Sequence, residues 1–119
     1  MRTKNTLLVS TDKRLCQGVI YILQDEGHSI KCTDNKLSAE KFIDDDSFDI
    51  AIFDYRIPGI NGIDLSKKIK NKDPNTKVFI MTGHSLIEEF LDEQKASMMV
   101  DGIIRKPFSD TMLLEKIGY

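Results

Sequence analysis

Short apolar runs alternate with helix-period segments along the whole chain, and this repeated switch of hydrophobic period confines it to an α/β fold. Thr6–Ser10 is a short apolar run. Leu15, Val19, Ile22 and Leu23 follow at i, i+4, i+7 and i+8, which is one apolar stripe on a helix ending near Gly27. His28–Thr33 alternates as a second strand, Leu37–Ile43 reads as a short helix, and Phe48–Asp54 reads as a third strand buried on both faces. Between the last two, Asp44-Asp45-Asp46 reads as a solvated turn, because acids are unfavourable at a helix carboxyl end. A Pro-Gly turn comes next, then a helix over Gly62–Lys70 with Ile63, Leu65 and Ile69 inward, a turn at Asp73-Pro74-Asn75, and a fourth strand at Lys77–Met81. Leu86, Phe90 and Leu91 mark a fourth helix, Gly102–Arg105 a fifth strand, and Met112, Leu113 and Ile117 a short last helix. Five β-α units in this order predict a doubly wound parallel sheet with right-handed crossovers and helices on both faces.

Length and charge narrow the class further. The 119 residues fit one domain, 1–119, able to bury roughly two-thirds of its unfolded surface. With 17 basic and 19 acidic residues the formal charge is -2, and nothing marks an electrostatic binder of nucleic acid or membrane. The opening Met1-Arg2-Thr3-Lys4-Asn5 lacks the apolar segment of a signal peptide, so a cytoplasmic location is the expectation. Cys16 and Cys32 lack metal-ligand spacing and sit in apolar periodic segments, which reads as two buried thiols. His28 and His84 read as surface or partly packed residues, and Met98 and Met99 as packing around the fifth strand.

Three of the apolar runs end in polar residues of different kinds. Ile50–Phe53 leads into Asp54, Val78–Met81 into Thr82, and Gly102–Ile104, after Arg105, into Lys106. In a parallel sheet these ends lie side by side in the crevice where open α/β sheets bind ligands. Each residue alone has a plainer reading: Asp54 a loop cap, Lys106 a solvated lysine, Thr82 a helix N-cap. Together they suit a carboxylate that attacks phosphorus while an ammonium and a hydroxyl each take one equatorial oxygen. Pro107 holds Lys106 extended, and Pro58-Gly59 fits a tight turn beside Asp54.

The segments Asp54-Tyr55-Arg56-Ile57-Pro58-Gly59-Ile60-Asn61-Gly62, Met81-Thr82-Gly83-His84 and Arg105-Lys106-Pro107-Phe108 resemble the receiver domain of two-component response regulators, and the likeness covers essentially the whole chain. The resemblance implies a flavodoxin-like strand order 2-1-3-4-5, a cis Lys106–Pro107 bond, and Asp54 as acceptor of a phosphoryl group from a histidine kinase or phosphotransfer protein. It implies a phosphoacceptor signalling domain with at most weak self-phosphorylation and dephosphorylation. It also implies Mg²⁺ held by Asp54, by the backbone carbonyl of Arg56 and by acids ending the first strand. An output protein or a second copy would bind the face made by the fourth helix, fifth strand and last helix.

Two positions depart from that pattern. Where receivers usually carry adjacent acids after the first strand, this chain has Ser10 and Thr11; only Asp12 follows, as an N-cap for the first helix. At an effective dielectric near 20, each missing carboxylate removes on the order of several kcal/mol of attraction for Mg²⁺, so weak or absent Mg²⁺ binding is expected unless Asp12 reaches in through water. The second departure is Ile103, which stands where the family's switching aromatic would be. The alternative reading is therefore an atypical receiver acting as a phosphorylation-independent interaction module. A flavin binder or a phosphatase is disfavoured: Ser10-Thr11-Asp12 lacks the glycines of a phosphate cradle, and Arg56 stands where a second carboxylate would be needed.

Overall fold

The computed structural model describes residues 3–83 and 100–118, and in it the apolar runs form one parallel sheet. The chain runs β1 (Asn5–Val9), α1 (Lys13–Asp25), β2 (Ser29–Thr33), α2 (Lys36–Asp45), β3 (Ile50–Asp54), β4 (Arg56–Ile57), β5 (Ile60–Asn61), α3 (Gly62–Lys72), β6 (Lys77–Thr82), β7 (Gly102–Arg105) and α4 (Asp110–Lys116). The sheet order is β2-β1-β3-β6-β7, which is the implied 2-1-3-4-5 order once the hairpin strands are set aside. The predicted fourth helix at Leu86–Leu91, with His84, Met98 and Met99, lies outside the described residues.

Alternation along the strands divides the core in two. Leu7, Val9, Ala51, Phe53, Val78 and Ile80 face α2 and α3, with Ala39, Ile43, Leu65 and Ile69 packed on them. Leu8, Ile50, Ile52, Phe79, Met81 and Ile104 face α1 and α4, against Val19, Leu23, Leu113 and Ile117. All five residues of β3 are buried, as a central parallel strand requires. Half-buried Ile103 packs against the first cluster.

Local chemistry sets the helix ends. Asp12, Asn35, Asn61 and Ser109 each accept a backbone N–H three residues on, capping α1, α2, α3 and α4. At the other end of α1, Gly27 (φ 84°) donates to Gln24 O and His28 donates to Leu23 O, a glycine-terminated helix stop.

The acidic run departs from expectation. It is not a free turn: α2 continues through Asp45, with Asp46 as its C-cap. The cause is a cation from another element. Lys72 Nζ, on the last turn of α3, donates to the carbonyls of Ile43, Asp44 (3.0 Å) and Asp46 (2.6 Å), while Lys31 pairs with the Asp46 carboxylate at 2.8 Å. A positive charge on the terminal carbonyls offsets the acids there. Two side chains also differ: Met112 is exposed on α4, and Cys32 is half-buried where Cys16 is buried. His28 is fully packed, its Nδ1 accepting the Lys4 N–H at 2.8 Å, and burial followed by the nearby Lys4 charge lowers its pKa.

The turn β4–β5 and the start of α3 bring backbone against Asp54. Pro58-Gly59 makes the two-residue loop of the hairpin, with Gly59 at φ 86°. A Cβ on Gly62 would stand 2.5 Å from the Asp54 carbonyl oxygen and 3.0 Å from Ile80 Cδ1. Gly62→Ala is therefore expected to lower stability by about 1–3 kcal/mol through overpacking. Gly18, in the exposed interior of α1 with nothing within 4 Å of a Cβ, is the control: Gly18→Ala should raise stability by roughly 0.5–1 kcal/mol. Urea unfolding midpoints compare the two.

Candidate functional site

Strand register assembles the site. Val9 lies opposite Phe53, so the residues that follow, Ser10 and Asp54, are neighbours at the carboxyl edge of the sheet. Asp54 pairs with Met81, Thr82 pairs with Arg105, and the Lys106 N–H donates to Thr82 O at 2.9 Å. Ser10, Asp54 and Lys106 continue the face that carries Leu8, Ile52 and Ile104. Asp54, Thr82 and Lys106 thus line one open cavity of about 470 Å³ together with Thr11, Arg56 and Gly83. The Lys106–Pro107 bond is cis.

Both oxygens of the Asp54 carboxylate are engaged. Asp54 is 6% exposed, and Lys106 Nζ approaches its Oδ1 at 2.6 Å. The Ser10 hydroxyl donates to Oδ2 and accepts the Asp12 N–H at 3.1 Å, which directs its single proton toward the carboxylate. A buried charge needs this degree of pairing to be tolerated.

Of the residues expected to hold a metal, Asp54 and Arg56 line one cavity and Asp12 does not. Asp12 Oδ1 accepts the Leu15 N–H at 3.0 Å, and Asp12 borders a different groove, between α1 and the segment before α4, with Leu15 and Phe108. Arg56 lines the Asp54 cavity. Among the described residues no three His, Cys, Asp or Glu side chains are grouped as a metal would require. One carboxylate already paired with a lysine and a serine is a poor donor set for Mg²⁺, which favours several charged or water oxygens in octahedral geometry.

Ser10 is the residue that reading the sequence alone missed. It stood out only as the lack of an acid, yet its place one residue past Val9 is in register with Asp54, and that was the available signal. Cys16 lies beside this edge, its thiol donating to the Ser10 carbonyl at 3.7 Å, and with Cys32 and Ser10 it lines a neighbouring groove. Burial first, and then a hydrogen bond to the Cys16 thiol, pushes the Cys32 thiol up to about 12, so it stays protonated and unreactive near neutral pH.

Comparison with known proteins gives a consistent result. The sequence matches the response regulator receiver domain family over residues 6–118. Chemotaxis protein CheY-3 of Vibrio cholerae is 30% identical over 111 residues, covering 91% of this chain and 82% of that protein. The alginate biosynthesis transcriptional regulatory protein AlgB of Pseudomonas aeruginosa is 30% identical over 107 residues, covering 90% of this chain but 23% of AlgB, so the chain spans about a quarter of that relative's length. Among solved structures, a CheY-like response regulator receiver domain protein from Methanospirillum hungatei superposes with a TM-score of 0.86 at 28% identity, covering 98% of this chain and 91% of that one.

The pairing predicts a thermodynamic cycle. Lys106→Met should cost about 1–3 kcal/mol, because Asp54 is left buried with Ser10 as its one side-chain partner among the described residues, whereas adding Asp54→Asn should recover most of that loss. Urea unfolding of the two single variants and the double variant measures the coupling.

Proposed function

The chain belongs to the response regulator receiver domain family of two-component signalling, and on that basis we propose that Asp54 accepts a phosphoryl group from a histidine kinase or phosphotransfer protein. The observation that carries this reading is the buried Asp54 carboxylate held beside Lys106 Nζ at the wall of a cavity that Thr82 also lines. Asp54 Oδ1 attacks phosphorus in line as the bond to the donor nitrogen breaks. Charge then spreads over three equatorial oxygens. Lys106 follows it, exchanging the carboxylate for a phosphoryl oxygen, and the Thr82 hydroxyl donates to another.

Receiver domains generally bind Mg²⁺, which would supply further charge neutralisation at the phosphoryl oxygens. The donor set here does not fit it, so binding at Asp54, the Arg56 carbonyl and Asp12 is taken as weak or absent. Receiver domains also interact with kinases or phosphotransfer proteins, and relatives such as AlgB carry further sequence beyond the receiver. The output surface proposed here includes β7 and α4, where Met112 is exposed; the helix expected between β6 and β7 lies outside the described residues. Ile103, half-buried in the core, cannot act as an aromatic rotamer switch, so any signal depends on movement of Thr82. Among the described residues no helix is long and apolar enough to cross a membrane. A cytoplasmic site of action is part of the same proposal.

Intact mass after incubation with acetyl phosphate in excess Mg²⁺ tests the central claim. A phosphoryl adduct is expected on the wild type and not on Asp54→Asn, and Lys106→Met should slow its formation on the order of a hundredfold. No adduct under any condition would instead favour the phosphorylation-independent interaction module, consistent with Ser10 and Thr11 in place of acids.

A further inference from the structure

The cavity that holds Asp54 carries more positive than negative charge. Among its described lining residues Asp54 is the single carboxylate, while Lys106 and Arg56 both border it. Lys106 is already committed to Asp54. Arg56 is not: its exposed side chain makes no hydrogen bond or ion pair with the described residues. It begins β4, two positions after Asp54 and just past the bend at Tyr55, and it lines the same cavity as Asp54. A guanidinium at such a site presents a rigid fork of donors matched to the oxygens of a phosphate.

Ser10 completes the arrangement from the other side. Its proton is held on Asp54 Oδ2 because its oxygen is occupied by the Asp12 N–H, so the carboxylate is oriented by a fixed neutral donor. Oδ1 is left toward Lys106. A metal at the acid-rich site of other receivers would orient the carboxylate and neutralise the incoming oxygens; here the Ser10 hydroxyl orients the carboxylate and Arg56 lines the cavity the incoming group would enter.

Building on the phosphoacceptor reading, we propose that this is a metal-independent phosphoryl-binding site, in which Ser10 is the positioning residue for Asp54 and the Arg56 side chain, with Lys106, binds the phosphoryl oxygens. The role is distinct from that of the Arg56 backbone carbonyl as a metal ligand. With acetyl phosphate as donor, the bond from Asp54 Oδ1 to phosphorus forms as the phosphorus–oxygen bond to the acetyl group breaks. Acetate leaves with the electron pair, and Ser10 keeps its proton throughout.

The test is a titration of inorganic phosphate into the ¹⁵N-labelled chain, in excess EDTA and again in excess Mg²⁺, following the amide signals of Thr82 and Gly83. The same saturable affinity is expected in both. Arg56→Gln, a change at an exposed position, should weaken binding about tenfold, the size of one charge-assisted hydrogen bond. Ser10→Asp should convert the site: anion binding in EDTA is lost, and Mn²⁺ now broadens signals around Asp54. Saturation that requires Mg²⁺, no saturation at all, or an Arg56→Gln variant that binds like the wild type would each overturn the inference. Intact mass in EDTA separates the two claims. An adduct formed only with Mg²⁺ keeps the phosphoacceptor and overturns metal independence. Phosphate binding in EDTA without any adduct supports the anion site and removes the phosphoacceptor.

Discussion

A carboxylate taken out of water at the end of a strand buried on both faces has to be compensated at each of its oxygens, and in this chain that requirement organises the whole carboxyl edge of the sheet. Lys106 reaches Oδ1 from the segment after β7, and Ser10 reaches Oδ2 from the end of β1. Neither contact is local in sequence. Both depend on β3 lying between β1 and β6, with Val9 opposite Phe53 and Asp54 opposite Met81. The missing side chain of Gly62 lets the start of α3 press against the Asp54 backbone carbonyl, which fixes the main chain that carries the carboxylate.

The charged residues lining the site carry no excess negative charge. A lysine ammonium neutralises the aspartate, a hydroxyl supplies the second contact, and Arg56 adds a charge at the rim. This differs from an acid-rich edge, where excess negative charge would attract a divalent ion and repel a phosphate dianion until that ion arrived. The same physics appears in a structural role at the opposite end of the fold. There Lys72 sits on the carbonyls that end α2, so that a run of three aspartates can stay helical or adjacent to helix.

Much of this was legible from periodicity. The five runs predicted as strands match β1, β2, β3, β6 and β7 to within two residues at each boundary, and Ile63, Leu65 and Ile69 do face the core. Asp54, Thr82 and Lys106 were identifiable because each ends an apolar run, and a parallel sheet gathers such ends at one edge. The short hairpin β4–β5 was not legible, since two-residue strands carry no period, and the Pro-Gly pair indicated only a turn. The extension of α2 through Asp45 was misread for a different reason: propensity is a local property, and the lysine that overrides it comes from α3.

The sequence by itself determined the order of strands and helices, the burial of β3 on both faces and the residue types at the strand ends, because these follow from hydrophobic period and from the handedness of parallel crossovers. Only the tertiary structure decided which groups touch Asp54. A serine that reads as a lost metal ligand becomes a hydrogen-bond donor, and Asp12, the nearest remaining acid, is turned away to cap α1. The contacts to Asp54 rest on distances between elements some 40 to 50 residues apart, set by register and packing, and no local pattern of the chain encodes them, whereas the Asp12 cap is local and legible in the sequence.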